Sequence, residues 1–425
     1  MGKKFQAMRG TRDVLPGEVE AWQAVEDAAR RLSSRYGFRE IRTPLFEATE
    51  LFARGVGDST DIVRKEMYTF PDRKGRSLTL RPEGTAGVAR ALIEAGVAQP
   101  DRLHRLYYLG PMFRYDRPQA GRYRQFQQWG AEVVGTGSPW ADVETILLLV
   151  DLLSDLGLEG LAVKLNSVGD GTCRPAYQDK LREILTPRRA ELCADCQERL
   201  DRNPLRVLDC KVPSCREIVK GLPPMLDFLC DPCRAHFETV KGGVTAAGVK
   251  YEIDPGLVRG LDYYTRTAYE VHHGQLGAQS AVGGGGRYDG LIHELGGAAV
   301  PAVGFSMGIE RTLLALEEEG RTPTSEVAAV YLARSAGLGG EAARLARRLR
   351  QRWTVYVDYE DRGLGAQFKQ ADRLGARVVV ILGEDEAKSG EASIKDLGSG
   401  EQRRIKQAEL EDALEQALRG PVASA

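Results

Sequence analysis

Two runs of β-forming residues, Leu103 to Phe113 and Tyr123 to Val134, flank the turn-rich stretch Asp116-Arg-Pro-Gln-Ala-Gly121. Aromatic and apolar residues on both sides of Pro and Gly predict a β-hairpin, so the chain must build an antiparallel sheet around this segment. Its charge is unusual. Arg114, Arg117, Arg122 and Arg124 are all arginine, and no lysine falls among them. A merely solvated face would mix in lysine, whereas planar five-donor forks match phosphate and carboxylate oxygens. With Gln128 and Glu132 further along the second strand, the hairpin reads as a site for a polyanion plus a small polar molecule.

The rest of the chain is organised around it. A helical pattern from Glu18 to Tyr36 stops at Gly37, and a strand follows from Phe38 whose pairing ends at Pro44. Met67 to Phe70 and Leu78 to Leu80 read as a second hairpin, leading to Glu83-Gly-Thr85 and a helix over Ala86–Ala95 that Thr85 or a neighbour could cap. An apolar helix spans Trp140–Leu156. Residues 160–250 then turn Cys-rich, Pro-punctuated and charged, interrupting a sheet that resumes at Tyr251. Gly320–Ser325 reads as a linker. Beyond it, strands Val327–Leu332, Thr354–Tyr359 and Arg377–Leu382 alternate with helices Glu341–Arg352 and Gly365–Leu374, the pattern of a small parallel α/β domain.

At 425 residues there is room for two or three cores. The 59 basic and 60 acidic residues nearly cancel, so any contact with nucleic acid must come from local patches. The N-terminus has no apolar leader and no myristoylation pattern after Met1-Gly2, and no apolar run approaches a membrane span. A soluble cytoplasmic chain is expected. There is no P-loop, and the five histidines fit no His-Glu-x-x-His pattern. His272 and His273 should point to opposite faces of a strand.

The cysteines concentrate between Cys193 and Cys233. Cys193-Ala-Asp-Cys196 and Cys230-Asp-Pro-Cys233 together have the ligand set of one structural zinc ion, with Cys210 and Cys215 between them. Their separation is long for a compact ribbon and six thiols are awkward for one ion, so buried reduced thiols are the favoured reading. The run Gly283-Gly-Gly-Gly286 signals either close approach of backbone to a ligand or another strand, or a structural bulge. Glu83, Gln128 and Glu132 taken singly read as surface polar residues. Arg259 differs. Its apolar and glycine neighbours predict a buried guanidinium that needs an anion, either Asp262, a glutamate or a bound oxyanion.

These blocks resemble a known family. Phe113-Arg114 through Glu132 is similar to the second signature motif of class II aminoacyl-tRNA synthetases, Gly304-Phe-Ser-Met-Gly-Ile-Glu-Arg311 to their third, and the strand ending at Thr43-Pro44 to their first. Arg81-Pro-Glu-Gly-Thr85, Leu257-Val-Arg-Gly-Leu-Asp-Tyr-Tyr264 and Gly284-Gly-Gly-Arg-Tyr-Asp-Gly290 resemble blocks particular to the histidyl-tRNA synthetase family. The stretch from Gly365 to Glu386 resembles that family's anticodon-binding domain.

The resemblance implies an α+β class II catalytic domain, an antiparallel sheet flanked by helices, with an inserted domain and a C-terminal α/β anticodon-binding domain. The expected bounds are 1–170 and 251–325 for the catalytic domain, 171–250 for the insertion and 326–425 for the anticodon domain. It implies activation of L-histidine by ATP, with Mg²⁺ accompanying the nucleotide, and transfer to the histidine tRNA by a homodimer. The implied catalytic residues are Arg259 and Arg114, which hold the α-phosphate and the histidine carboxylate. Arg122 falls at the position for the terminal phosphates, and Phe126 and Arg311 at those that sandwich adenine. Glu83, Thr85 and Gln128 match holders of the α-amino group; Glu132 and Tyr264, with Tyr263 nearby, match the imidazole pocket. Arg117 and Gln119 fall on the loop that meets the tRNA acceptor end. No residue is singled out as a metal ligand. The rival implication is a synthetase-like regulatory subunit of ATP phosphoribosyltransferase, disfavoured by the intact Leu257–Tyr264 block and the C-terminal domain.

Overall fold

The computed structural model describes residues 4–58, 60–274, 280–323 and 329–419. Parts of the linker expected at Gly320–Ser325, and the first residues of the strand expected at Val327–Leu332, lie outside them. The chain divides into two compact units, residues 1–324 and 325–425.

The first unit is built on an eight-stranded sheet. Its strands, in chain order, are β1 Arg39–Glu40, β2 His104–Phe113, β3 Gln125–Val134, β4 Leu161–Ser167, β5 Tyr251–Ile253, β6 Thr265–His273, β7 Ala281–Arg287 and β8 Ala302–Gly308. Their spatial order is β1-β2-β3-β8-β7-β6-β4-β5. The central pairs are antiparallel, but the two edge pairs, β1 on β2 and β5 on β4, are parallel, so the sheet is mixed. The strand expected from Phe38 pairs over only two residues, and the chain then turns off to Phe46–Ala48, which joins Tyr68–Pro71 and Ser77–Leu80 in a separate three-stranded sheet.

Side-chain alternation divides the hairpin strand β3 between two environments. Trp129, Ala131 and Val133 enter the main apolar core, while Phe126, Gln128 and Glu132 share the opposite face. Helices Val19–Arg35, Pro139–Asp155 and Ile309–Glu318 cover the core face. Helix Pro139–Asp155 starts where the Ser138 side chain accepts from the Trp140 N–H and Pro139 takes the first turn. Ile146, Leu148, Leu149, Leu152 and Leu153 are all fully buried around it, each contributing roughly 1.5–3 kcal/mol. A helix apolar on so many sides needs two partners. It lies between the sheet and helix Asp231–Ala246, which supplies Phe237, Val240 and Val244 to the same core. The segment expected as an inserted domain thus packs its last helix on this core.

Arg287, fully buried, ties this region together: it pairs with Asp142, which also holds His236, and donates to the carbonyls of Thr136 and Ser138.

The second unit holds a five-stranded sheet. Ala329–Arg334, Thr354–Val357 and Ala376–Leu382 are parallel as the alternating pattern predicts, with helices Gly339–Leu349 and Leu364–Arg373 between them. Two further antiparallel strands, Glu391–Asp396 and Gln402–Lys406, make that sheet mixed rather than wholly parallel. Their largely polar sequence carries little apolar alternation to reveal them.

Candidate active site

The polar face of β3 is completed by side chains from four other segments. Glu132, fully buried, accepts from Thr85 Oγ1 at 2.7 Å and from the Tyr288 hydroxyl. Burial pushes its carboxyl up to about 8, against the opposing pull of those hydroxyl donors. Its neighbour across the ladder is Gly304 of β8. A Cβ there would land on the Glu132 carboxylate, so only glycine leaves that oxygen its place.

Glu83 does not remain on the surface. It is buried, and its two oxygens accept the backbone N–H groups of Thr85 and Ala86 at 2.7 and 2.8 Å. Glu83, rather than Thr85, therefore caps the helix Thr85–Glu94, which frees the Thr85 hydroxyl for Glu132. Burial raises the Glu83 pKa. Gln128 is also buried, and among the described residues its Oε1 has no hydrogen-bond partner. An orphaned buried acceptor in a cleft suits an incoming N–H donor.

Arg114 is anchored by its Nε to the Pro82 carbonyl at 2.8 Å and lies 5.4 Å from the centre of the Phe126 ring. Burial lowers its pKa, while Glu66 and Glu83 nearby oppose that effect. Arg311 follows β8 directly and donates from Nε to the Ala281 carbonyl at 2.7 Å. Strand β8 runs beside β3 with Gly308 opposite Gln128, which brings Arg311 and Phe126 to one end of the cleft. Glu310, between them in sequence, accepts the Gln127 N–H, and burial pushes its carboxyl up to about 7.

Arg259 finds an anion within the chain, a glutamate as its setting allowed. It pairs with Glu270 of β6, whose other oxygen lies 3.0 Å from His272 Nε2, while His272 Nδ1 meets Ser280 Oγ at 2.7 Å. Burial alone would raise the Glu270 pKa; attraction to Arg259 and the bond to His272 outweigh it and hold the carboxyl at about 2. The Arg259 guanidinium also lies 5.8 Å from the Tyr264 ring centre. The glycine run explains how this fits. A Cβ at Gly284 would meet Arg259 Nη1 at 2.8 Å, and one at Gly286 would meet the Tyr264 ring at 2.9 Å. The glycines let both side chains and the neighbouring strands approach closely, and the register with β6 also shifts at both ends of the run, so both readings of it, close approach and bulge, are present.

Three tyrosines gather near Glu132. Tyr264 is buried beside Tyr263, with ring centres 4.8 Å apart, but it is Tyr288 that reaches Glu132. Tyr263 lies between, 5.5 Å from Tyr288. Tyr288, Glu270 and His272 carry no role in the sequence reading. Tyr288 sits within the quoted Gly284–Gly290 block, and its place one residue past a buried strand end was the available signal. Arg122 lies 3.4 Å from Asp116, and Gln119 bridges backbone to Arg122 across the tip of the hairpin. Arg117 and Gln119 are exposed at that tip, away from the buried group around Glu132.

The cleft thus has cations at one end and a buried, hydroxyl-lined carboxyl at the other. The family model described as histidyl-tRNA synthetase matches residues 10–191 and 217–312, and that of the anticodon binding domain matches residues 326–417. The chain belongs to the histidyl-tRNA synthetase family. It is 52% identical over 405 residues to the histidine–tRNA ligase of Desulforamulus reducens, covering 95% of this chain and 97% of that one. The crystal structure of apo Staphylococcus aureus histidyl-tRNA synthetase superposes with a TM-score of 0.82 at 36% identity, covering 98% of this chain and all of that one. A Bacillus halodurans structure described as an ATP phosphoribosyltransferase regulatory subunit/histidyl-tRNA synthetase shares the fold with a TM-score of 0.64 at 23% identity, covering 90% of this chain and 98% of that one. In this family the fold is that of a class II aminoacyl-tRNA synthetase with a C-terminal anticodon-binding domain, and the chain is an enzyme of that class, a histidine–tRNA ligase.

Proposed function

We propose that the cleft activates histidine with ATP, releasing pyrophosphate, and passes the histidyl group to the 3′ end of its tRNA, with the residues in the following roles. The histidine carboxylate is already ionised and needs no general base, so the first step depends on alignment and on cations that hold the α-phosphate as charge builds. Arg114, fixed at Pro82 and Phe126, and Arg259, fixed at Glu270, approach that phosphate and the carboxylate from opposite sides. Arg122 takes the terminal phosphates, exchanging Asp116 for them. Phe126 and Arg311 hold the adenine by stacking and cation–π contact.

Glu132 recognises the imidazole, held in place by Thr85 and Tyr288, with Tyr263 and Tyr264 closing the pocket. A competitor lacking ring nitrogens would leave this buried carboxyl unpaired. Gln128 accepts from the α-amino group through its orphaned Oε1, supported by Glu83 and Thr85. Arg117 and Gln119, at the exposed tip, meet the acceptor end of the tRNA.

Mg²⁺ enters with ATP as part of the substrate. Among the described residues no three carboxylates converge near Arg114, and Glu270 and Glu83 are already engaged, so phosphate oxygens are its principal ligands in this reading. A homodimer is supported by the stretch after Thr43-Pro44, where Leu45 and Phe46 are 44% and 52% exposed beside an edge strand. A cytoplasmic location fits a translation enzyme; no helix among the described residues is long and apolar enough to cross a membrane.

The observation that carries this reading is Glu132, buried between two hydroxyl donors on the same sheet face as the arginines. The test is histidine-dependent ATP–pyrophosphate exchange by the purified chain. Exchange with histidine alone among the amino acids is expected; none, or equal exchange with others, sinks the reading. Stimulation of an ATP phosphoribosyltransferase catalytic subunit without exchange would favour the regulatory alternative.

A further inference from the structure

The cysteines do not assemble as their sequence spacing suggests. Cys193 and Cys196 converge with Cys210 and Cys215, whereas Cys230 and Cys233 join Cys173 and the Asp170 carboxylate. In each group the four ligand atoms lie within 4.8 Å of one another. The two Cys-x-x-Cys pairs therefore belong to separate clusters. This removes the objection that six thiols are too many for one ion, and it brings in Cys173, which lies outside the Cys-rich run.

We propose that each cluster holds one zinc ion, a Cys₄ site and an AspCys₃ site, which pin the insertion against the segment that carries Arg259. Zinc takes four ligands in a tetrahedron with Zn–S near ~2.3 Å and Zn–O near ~2.1 Å, which sets ligand–ligand edges of about 3.8 Å for S···S and about 3.6 Å for S···O. Cys193 Sγ and Cys210 Sγ lie 3.8 Å apart. Asp170 Oδ1 lies 3.7 Å from Cys173 Sγ and 3.9 Å from Cys230 Sγ. All seven thiols are free, and a disulfide would join sulfurs at about 2 Å in pairs, leaving one thiol and a carboxylate over in the second cluster.

The backbone is arranged alike around both clusters. The two knuckles share one backbone form: Cys193 and Cys230 cap helices Ala194–Arg202 and Asp231–Ala246 with φ/ψ of −65/159° and −64/158°. This places the sulfurs at helix N-termini, where partial positive charge favours anions. The Cys193 N–H points to Cys215 Sγ at 3.2 Å and the Asp170 N–H to Cys173 Sγ at 3.4 Å, backbone donors of the kind that orient metal-bound sulfur. With four anionic ligands each site carries surplus negative charge. Arg266 lies 3.4 Å from Asp170 in one, and Arg199 stands beside Cys196 in the other.

Both sites bear on Arg259. The helix that starts at Cys193 ends at Asn203, whose side chain donates to Asp262 at 3.0 Å, and Arg206 just beyond donates to the Arg259 carbonyl at 2.6 Å. The second cluster joins the outgoing and returning ends of the insertion. Arg174, next to Cys173, donates to the Tyr264 carbonyl at 2.6 Å.

The test is metal content of the full chain, expressed with zinc in the medium and purified without chelator. Two zinc equivalents per chain are expected by plasma mass spectrometry, falling to one in Cys196→Ser and to one in Cys233→Ser. Titrating the wild-type chain with a mercurial while a dye reports released zinc avoids dependence on variants that fail to fold; two equivalents should be released in step with thiol modification. One equivalent in the wild type overturns the AspCys₃ or the Cys₄ site, according to which variant still retains it. Less than half an equivalent, with the thiols free or oxidised in pairs, overturns both.

Discussion

Arg259 and Glu270 form an ion pair held on a surface of glycines: Gly284 leaves the space in which the guanidinium reaches the carboxylate. The pair is largely buried, with the side chains 17% and 22% exposed, so it fixes Arg259 before any substrate arrives. In the proposed reaction this is preorganisation: the cation is oriented in advance rather than gathered by the ligand.

Removing that arginine should separate catalysis from folding. Arg259→Ala is expected to lower histidine-dependent pyrophosphate exchange at least ~100-fold, the scale of losing one preorganised charge. It also strands Glu270, at about 3 kcal/mol. The double variant Arg259→Ala/Glu270→Gln should regain most of that stability in urea melts without regaining exchange. Exchange within a few-fold of wild type in the single variant would show that this arginine is structural.

Arg114→Lys keeps the charge and loses the fork. Its anchor to Pro82 uses Nε, which lysine lacks at that position. The expected result is a fall of ~10–100-fold in kcat for exchange with a smaller change in the KM for ATP. An unchanged kcat would show that a point charge suffices there.

Gly304→Ala should act through Glu132. The new methyl displaces the carboxylate that Thr85 and Tyr288 hold, so the KM for histidine is expected to rise ~10-fold or more while ATP binding, read by fluorescence of a nucleotide analogue, changes little. Equal losses for both substrates would point to general damage of the β3–β8 pair instead.

Glu132 also sets a pH dependence. Its pKa rises from 4.5 in the open chain to about 8 in the fold, so the folded state holds a proton that the unfolded state has released across that interval. Stability contributed by this group is fully present below 4.5 and declines as pH rises through about 8. Glu132→Gln mimics the neutral form, so its urea midpoint relative to wild type should improve between pH 5 and pH 9. A wild-type-minus-variant difference that stays flat over this range would place the ionisation elsewhere.

The hairpin, the arginines and the order of strands and helices follow from local physics, and the sequence displays them. Turn residues at Asp116–Gly121 and alternation along Tyr123–Val134 depend on neighbours a few positions apart. The parallel core of the C-terminal unit was legible for the same reason. The short pairing at Arg39–Glu40, the mixed edges of both sheets and the return of helix Asp231–Ala246 into the catalytic core were not, because each is decided by distant partners competing for one surface.

The site divides in the same way. The sequence by itself determined that four arginines crowd a hairpin and that Arg259 requires an anion, because charge type and an apolar setting are properties of the residues. Only the tertiary structure decided which anion it meets, that Glu83 caps a helix while Thr85 turns to Glu132, and that Tyr288 rather than Tyr264 completes that carboxyl's bonds. It also sorted the thiols into two clusters, taking Cys173 and Asp170 from before the Cys-rich run. Hydrogen bonds and ligand tetrahedra are set over about 3–4 Å in space. Spacing along the chain fixes such distances only within one turn or one knuckle; across 47 residues, as between Thr85 and Glu132, the sheet must fold first.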